Sequence, residues 1–205
     1  MRTAVLVSGR GSNLQALIIA CESGSLPIEI VAVGSDQLEA GALERAREAG
    51  IPTRVFQIRD YPHRQAQEED LLIWMRENRV ELLLLAGYMK VLGPQFIRQA
   101  NFPVMNIHPS LLPAFPGLHA QRQALEYGVK VSGCTVHLVD EGLDSGPIIL
   151  QEAVSVLPED TEESLAQRIL AVEHRLYPEA VRMFVSGKVE RTGRRVQILQ
   201  QEGLD

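Results

Sequence analysis

Apolar residues recur along the first half of the chain with two alternating spacings. Short, nearly continuous apolar runs predict buried β-strands, and apolar positions three and four residues apart predict amphipathic helices. In chain order the pattern predicts strand 3–8, helix 12–22, strand 28–34, helix 40–50, strand 53–56, helix 63–79 and strand 81–86. Because such apolar strands are typical of parallel sheets covered on both faces, we expect an α/β fold with a Rossmann-like, mostly parallel twisted sheet.

The second half of the chain has a different texture. After a strand predicted over 102–107, residues 108–119 contain three prolines and one glycine, which is typical of a stiff, ordered loop. The remaining predicted elements are strand 131–139, a polar glycine-rich loop over 140–146, strand 147–156, helix 162–186 and a hairpin over 188–199. The length favours one domain, residues 1–205, built from halves 1–100 and 101–205.

The composition is that of a globular, acidic protein. Hydrophobic residues make up 45% of the chain, and 26 acidic against 20 basic side chains give a formal net charge of −6. This charge argues against broad binding to nucleic acid or to a membrane surface, because both favour a basic face. The chain shows no signal-peptide pattern and no span of roughly 20 apolar residues, so we expect a cytoplasmic location.

Cysteine and histidine are too sparse to predict a disulfide framework or a metal site. Cys21 and Cys134 are the only cysteines, and neither lies in a C-x-x-C motif. None of the five histidines has a partner at the H-x-x-x-H spacing of metal-binding helices. We therefore expect two free thiols in a reducing compartment and no bound metal.

A glycine-rich turn follows the first predicted strand and opens the first predicted helix. Residues 8–13 read Ser-Gly-Arg-Gly-Ser-Asn, with Ser12 as the predicted N-cap. Backbone N–H groups at the start of a helix bind anions, phosphate above all. No lysine follows as in a P-loop, and Leu14 replaces the third glycine of a dinucleotide fingerprint. Two alternatives stay open: dinucleotide binding with Asp36 as the ribose acid, and a structural turn without a ligand.

Two polar residues, Asn106 and His108, end an otherwise apolar strand. Residues i and i+2 of a strand point the same way, so both side chains face one surface. Asp144, in the later polar loop, can orient a histidine and favour its protonated form. An amide, a histidine and a carboxylate together suit acyl transfer through an oxyanion. Ser110 and Ser132 lack the motif of a serine nucleophile, and a histidine hydrogen-bonded within its own loop is the alternative.

Three segments together resemble the folate-dependent formyltransferases. They are SGRGSNLQA at 8–16, NIHPSLLPAFPGLHAQRQAL at 106–125 and GCTVHLVDEGLDSGPIIL at 133–150. The resemblance extends in order from the N-terminus to the predicted helix that ends near residue 186. It implies the formyltransferase fold, in which helices cover both faces of the sheet and the C-terminal half includes antiparallel pairing.

The resemblance also implies a role for each matching residue. The expected catalytic residues are Asn106, His108 and Asp144. The expected contacts to a phosphoribosylglycinamide substrate are Gly11, Ser12, Asn13 and Glu173. The expected contacts to the folate are Arg64, Met89, Lys90, Val91, Leu92 and Asn106. The family often has Phe at position 88 and Arg at position 90, so Tyr88 and Lys90 depart from the pattern, and Lys90 lacks a planar guanidinium.

The implied reaction moves a formyl group from 10-formyltetrahydrofolate to the amine of N1-(5-phospho-D-ribosyl)glycinamide, in purine (IMP) biosynthesis. His108 and Asn106 would stabilise a tetrahedral intermediate, and Asp144 would keep His108 protonated. Residues 1–100 would form the mononucleotide- or phosphate-binding half, and residues 101–205 the catalytic and folate-binding half. The folate is a co-substrate, and neither a metal nor a permanently bound cofactor is expected. The partners would be these two small molecules, with the chain a monomer or homodimer.

Three alternatives remain. Formyltetrahydrofolate hydrolase shares the central motif but usually carries an additional N-terminal domain, whereas this chain starts at its first predicted strand. Methionyl-tRNA formyltransferase adds a C-terminal RNA-binding domain, which neither the short predicted tail nor the acidic charge favours. A non-catalytic nucleotide-binding module would explain the glycine turn, but it would leave Asn106, His108 and Asp144 without a purpose.

Overall fold

A computed structural model describes residues 1–199, which form a central sheet, helices on both of its faces and a small hairpin. The strands of the sheet are β1 (Arg2–Val7), β2 (Glu29–Ser35), β3 (Thr53–Val55), β4 (Leu82–Leu85), β5 (Val104–His108), β6 (Val131–Leu138) and β7 (Ile148–Ser155). The helices are α1 (Ser12–Glu22), α2 (Gly41–Glu48), α3 (Arg64–Glu77), α4 (Pro94–Gln99), α5 (Ala120–Tyr127) and α6 (Glu162–Val185), with a 3-10 turn at Ile58–Asp60. Residues 200–205 of the predicted domain lie outside the described residues.

The strand order of the sheet is β3-β2-β1-β4-β5-β6-β7. Strands β1 to β5 pair in parallel, whereas β6 runs antiparallel to both β5 and β7. This confirms the predicted α/β fold and its antiparallel C-terminal part. The chain moves outward from β1 to β3 and then returns to β4 on the other side, so β1 and β4 flank the switch point where open α/β sheets bind ligands.

The core has two layers because successive side chains of each strand point to opposite faces. On β1, Val5 and Val7 join the cluster under α1, α2 and α6, whereas Ala4 and Leu6 join the cluster under α3 and α4. Fully buried Tyr177 ties α6 to the sheet, since its hydroxyl lies 3.1 Å from the carbonyl oxygens of both Leu85 and Met105. Both faces of the sheet are therefore covered, as predicted.

The start of α1 differs from the prediction. Its N-cap is Gly11, which has a left-handed backbone with φ of 78° and makes no side-chain cap hydrogen bond. The prediction of Ser12 as the N-cap was therefore wrong, because the left-handed turn at Gly11 already places Ser12 inside the helix. By contrast, α6 opens with a capping box between Thr161 and Ser164, which satisfies two backbone N–H groups reciprocally.

The C-terminal hairpin was predicted correctly. It consists of β8 (Val189–Thr192) and β9 (Arg195–Ile198), which pair antiparallel around a turn that includes Gly193, where φ is 63°. The hairpin lies against β7, the edge strand of the main sheet. No helix within residues 1–199 combines the length and the apolar surface needed to cross a bilayer.

Candidate active site

The three expected catalytic residues meet at the carboxyl end of β5. Asn106 and His108 are alternate residues of this strand, opposite His137 and Thr135 on β6. Asp144 reaches them from the loop between β6 and β7. Its Oδ2 lies 3.4 Å from His108 Nδ1, and the two side chains are only 12% and 7% exposed. The structure therefore brings a carboxylate from a distant loop to the amide and the imidazole at the end of β5.

Both ring nitrogens of His108 face oxygen acceptors. Nδ1 faces the Asp144 carboxylate, and Nε2 lies 2.9 Å from the carbonyl oxygen of Phe115. A neutral imidazole donates from one nitrogen only, so the doubly protonated ring is the form that satisfies both contacts. Asp144 Oδ2 is itself held by the backbone N–H of Gly117 at 2.7 Å. These contacts hold the His108 ring in a fixed orientation.

His137 is a site residue that the sequence did not identify. Asn106 Nδ2 lies 3.2 Å from His137 Nε2, and His137 Nδ1 lies 2.9 Å from the carbonyl oxygen of Leu138. These contacts fit a neutral ring that donates from Nδ1 and accepts the Asn106 N–H at Nε2. Burial lowers the pKa of His137, which agrees with a neutral ring, although the bond to Leu138 and the charge of Asp144 oppose this shift. Alternation along β6 carried the only sequence signal for this residue.

Thr135 anchors the proline-rich loop that follows β5. Its buried hydroxyl donates to the Ser110 carbonyl oxygen at 2.7 Å and accepts from Leu112 N at 3.0 Å. It also accepts from Gln151 Nε2 at 2.8 Å, and the same amide nitrogen donates to the Leu112 carbonyl oxygen at 2.7 Å. The predicted stiffness of this loop therefore comes from hydrogen bonds to β6 and β7 as well as from its prolines.

The side chain of Asn13 joins the glycine turn to α6. Its Nδ2 donates to Glu173 Oε2 at 2.8 Å, and both side chains are more than nine-tenths buried, with residue exposures of 8% and 6%. Burial raises the pKa of the Glu173 carboxyl, and the bond from Asn13 opposes that shift. Asn13 Oδ1 is buried and has no hydrogen-bond partner within residues 1–199. The expected contacts to a ribonucleotide, Asn13 and Glu173, are thus direct neighbours.

Gly11 has a structural requirement of its own. Besides its positive φ, a methyl group added at this position would lie 2.5 Å from both Cα and Cβ of Ala42 on α2. At Gly9, by contrast, an added methyl group would meet no atom within 4 Å. Glycine at position 11 is therefore explained by turn geometry and close helix packing whether or not a phosphate approaches it.

A groove of about 590 Å³ opens beside the glycine turn. Ser12, Gln15, Arg45 and Arg175 are among the residues that line it. Arg45 is held in place, because its Nε donates to the Arg10 carbonyl oxygen at 2.9 Å and its Nη1 donates to Gln15 Oε1 at 3.1 Å. A positioned cation thus lies next to the backbone N–H groups at the start of α1, in a protein that is acidic overall.

Asp36, the residue that left dinucleotide binding open, is engaged within the protein. Ser8 Oγ donates to Asp36 Oδ1 at 2.5 Å, and Gln37 Nε2 donates to Asp36 Oδ2 at 2.8 Å. Ser8 Oγ also accepts from Met89 N at 2.8 Å. Asp36 therefore ties β2 to β1 through Ser8, and Ser8 in turn holds the segment after β4. The geometry gives no support to a ribose-binding role for Asp36.

The expected folate contacts cluster on the segment after β4. Arg64, at the start of α3, donates to the Val91 carbonyl oxygen and pairs with Glu68 at 2.7 Å. Met89 and Val91 are 59% and 53% exposed, whereas Leu92 is buried in the core below α3 and α4. Met89 and Val91 thus expose apolar side chains, whereas the buried Leu92 could contact a ligand only through its main chain. These residues lie in the first half of the chain, whereas the expected catalytic residues lie in the second.

The comparison with known families identifies the class. Residues 1–181 match the model of the family described as formyl transferase. The chain therefore belongs to the formyl transferase family.

Within residues 1–199, no group of three or more His, Cys, Asp and Glu side chains is arranged to hold a metal ion.

Individual members of the family are similar to this chain over most of its length. The phosphoribosylglycinamide formyltransferase of Escherichia coli strain K12 is 40% identical over 190 residues, which are 93% of this chain and 90% of the relative. The crystal structure of glycinamide ribonucleotide transformylase 1 from Symbiobacterium toebii has 53% identity and a TM-score of 0.93, and the match covers 98% of this chain and 94% of that one. The trifunctional purine biosynthetic protein adenosine-3 of Drosophila pseudoobscura pseudoobscura is 50% identical over 93% of this chain, which spans only 14% of that longer protein.

Proposed function

We propose that the chain transfers the formyl group of 10-formyltetrahydrofolate to the amine of N1-(5-phospho-D-ribosyl)glycinamide, a step of de novo purine biosynthesis. The observation that carries the proposal is the contact of His108 with Asp144 beside Asn106, at the end of β5. The names of the similar proteins from Escherichia coli and Symbiobacterium toebii support the choice of substrate.

The proposed chemistry is direct acyl transfer. The amine nitrogen of the ribonucleotide attacks the formyl carbon, a carbon–nitrogen bond forms, and the formyl oxygen becomes an oxyanion. The intermediate then collapses, the bond to N10 of the folate breaks, and the proton lost by the amine ends on N10. Holding both substrates in one cleft can supply about 7–11 kcal/mol of the barrier reduction.

Asn106 and His108 are the proposed oxyanion donors. One N–H of the Asn106 amide is used by His137, so the second remains for the oxyanion. His108 Nε2 lies 2.9 Å from the Phe115 carbonyl oxygen, so donation from this nitrogen requires the ring or the loop 109–116 to move. One such donor typically contributes about 3–4 kcal/mol to catalysis. Asp144 balances the imidazolium charge and orients the ring.

The glycine turn is the proposed handle for the ribonucleotide. Backbone N–H groups of Gly11, Ser12 and Asn13 at the start of α1 would bind the phosphate, with Arg45 as the neighbouring cation. The buried carboxylate of Glu173, oriented by Asn13, would accept hydrogen bonds from the ribose hydroxyls. Binding energy from a remote phosphate can be used to orient the amine at the formyl carbon.

The segment after β4 is the proposed folate contact. Met89 and Val91 offer exposed apolar side chains for the flat ring system of the co-substrate, and Arg64 supports their backbone. Lys90 offers a single ammonium group where the family often has a planar guanidinium, so a bidentate contact at this position is not expected. We further propose one domain, two small-molecule substrates without nucleic acid or a membrane, and a cytoplasmic monomer or homodimer.

The decisive test separates a transferase from formyltetrahydrofolate hydrolase. Purified protein is incubated with 10-formyltetrahydrofolate, with and without the ribonucleotide, and products are identified by mass. We expect formyl consumption to depend strongly on the ribonucleotide and free formate to be a minor product. Formate release at an equal rate without the ribonucleotide would favour the hydrolase. Glycinamide riboside, which lacks the phosphate, should lose turnover as well as affinity.

A further inference from the structure

The loop that carries Asp144 has little apolar anchoring of its own. Leu143 is 52% exposed, and Asp144 has a φ of 48°, a left-handed backbone that is uncommon outside glycine. Within the loop, Asp140 Oδ1 accepts hydrogen bonds from Gly142 N at 3.1 Å and Ser145 Oγ at 2.6 Å. These internal bonds shape the loop, but contacts with other elements must decide where it lies.

Two arginines hold the loop on either side of Asp144. Arg98, on α4, pairs through Nη1 with Glu141 Oε2 at 2.6 Å. Arg194, in the turn between β8 and β9, donates from Nη2 to the Ser145 carbonyl oxygen at 2.7 Å. Because Asp144 lies between the two anchored residues, both contacts bear on the position of its carboxylate. The hairpin thus reaches from the C-terminal end of the described chain to the catalytic loop.

We propose that Arg98 and Arg194 form a clamp that positions the Asp144 carboxylate against His108. Asp144 Oδ2 accepts from Gly117 N at 2.7 Å and faces His108 Nδ1 at 3.4 Å. A shift of the loop would weaken both contacts without moving β5, the strand that carries His108. The consequence for catalysis rests on the proposed formyl transfer, whereas the link between clamp and carboxylate does not. Both arginines are positioning residues, because they act through Asp144.

The clamp is best tested by removing both arginines together. The side chains of Arg98 and Glu141 are 59% and 50% exposed, and exposed ion pairs are individually weak. In the double variant Arg98→Ala/Arg194→Ala of the full chain, hydrogen–deuterium exchange at the Gly117 amide should be about three- to tenfold faster. Amides of β5 should keep their protection. The kcat for formyl transfer should fall about three- to tenfold, while KM for the ribonucleotide stays unchanged.

Matched variants separate the clamp from a general loss of structure. Arg195→Ala removes the neighbouring arginine on β9, which takes no part in the loop contacts, and should leave exchange at Gly117 unchanged. Arg194→Lys keeps a donor for the Ser145 carbonyl and should retain most of the protection. Glu141→Gln combined with Arg194→Ala removes the same two contacts and should reproduce the double variant.

Two results would overturn the clamp. One is unchanged exchange at Gly117 in the double variant, and the other is equal acceleration in Arg195→Ala. If the unaltered protein shows no formyl transfer, the proposed function fails, while the exchange experiment still decides the clamp.

Discussion

The glycine turn and the carboxyl end of β5 offer different kinds of functional group to a ligand. At the glycine turn, the expected phosphate donors are backbone N–H groups, and the packing of Gly11 against Ala42 sets their position. At the end of β5, the expected catalytic groups are side chains, and the loop that follows β6 brings Asp144 to Asn106 and His108.

Because of this difference, a substitution separates ligand contact from structural packing in one region but not in the other. A change at Gly11 disturbs the helix packing before it disturbs a ligand, so loss of binding there would not separate the two causes. A change at His108 removes one functional group from a framework that β-sheet hydrogen bonds hold in place. Substitution of a single side chain should therefore change either ribonucleotide binding or turnover while leaving the other largely intact.

The largest effect is expected at His108. His108→Ala should lower kcat by at least about 10²-fold, since it removes an oxyanion donor, and should leave ribonucleotide binding largely intact. Steady-state kinetics and titration calorimetry on the same preparation measure both quantities. His119→Ala is the matched control, because His119 ends the loop that follows His108 but is 63% exposed and faces Glu162 at 3.8 Å. Near-normal turnover of His108→Ala would remove this residue from the mechanism.

The second-largest effect is expected at the glycine turn, the proposed binding site of the substrate phosphate. Asn13→Asp replaces the donor to Glu173 by a second carboxylate at a contact of 2.8 Å. Ribonucleotide binding should weaken about 10- to 100-fold through charge repulsion and the lost bond, while folate binding persists. Calorimetry with each ligand in turn measures this. Gln15→Glu adds the same charge two residues further along α1, where it faces Arg45 instead of Glu173, and should have a smaller effect. Equal loss for both ligands in Asn13→Asp would indicate misfolding and contradict the separation.

A smaller effect is expected from the residue that orients Asn106. His137→Phe keeps much of the ring volume but removes the acceptor at Nε2 and the Nδ1 donor to Leu138. We expect kcat to fall about three- to tenfold, with ribonucleotide binding unchanged. His137→Gln restores an acceptor and should recover part of the loss. If both variants turn over at the same rate, orientation through Nε2 is not the role of His137.

The smallest effect concerns the pH dependence of stability. Burial lowers the pKa of His137 below its ordinary value of 6.5, so the unfolded chain binds a proton more readily. The free energy of unfolding should therefore decrease as pH falls through that value. His137→Gln should make the free energy of unfolding depend less steeply on pH. Urea denaturation from neutral to mildly acidic pH measures it. Burial also lowers the pKa of His174, so part of the slope should remain.

Local features of the fold could be predicted from the amino-acid sequence alone. Short apolar runs predicted all seven strands of the sheet, because each buried strand needs apolar side chains within its own sequence. The turn at 8–13, the polar pair Asn106 and His108 and the proline-rich loop were also visible, since each depends on neighbouring residues. The short helices α4 and α5 were not assigned, because only Phe96 is buried in the first and only Ala120 and Ala124 in the second.

The contacts between residues that are distant in sequence could not be predicted in this way, because they depend on the folded chain. The bond between Asn13 and Glu173 joins residues 160 positions apart, and the contact of Asn106 with His137 depends on the register of β5 against β6. The reach of Arg194 to Ser145 depends on how a hairpin packs beside β7. The physical reason is that side-chain patterns report burial along one element, whereas register and packing angle are set by the whole core at once.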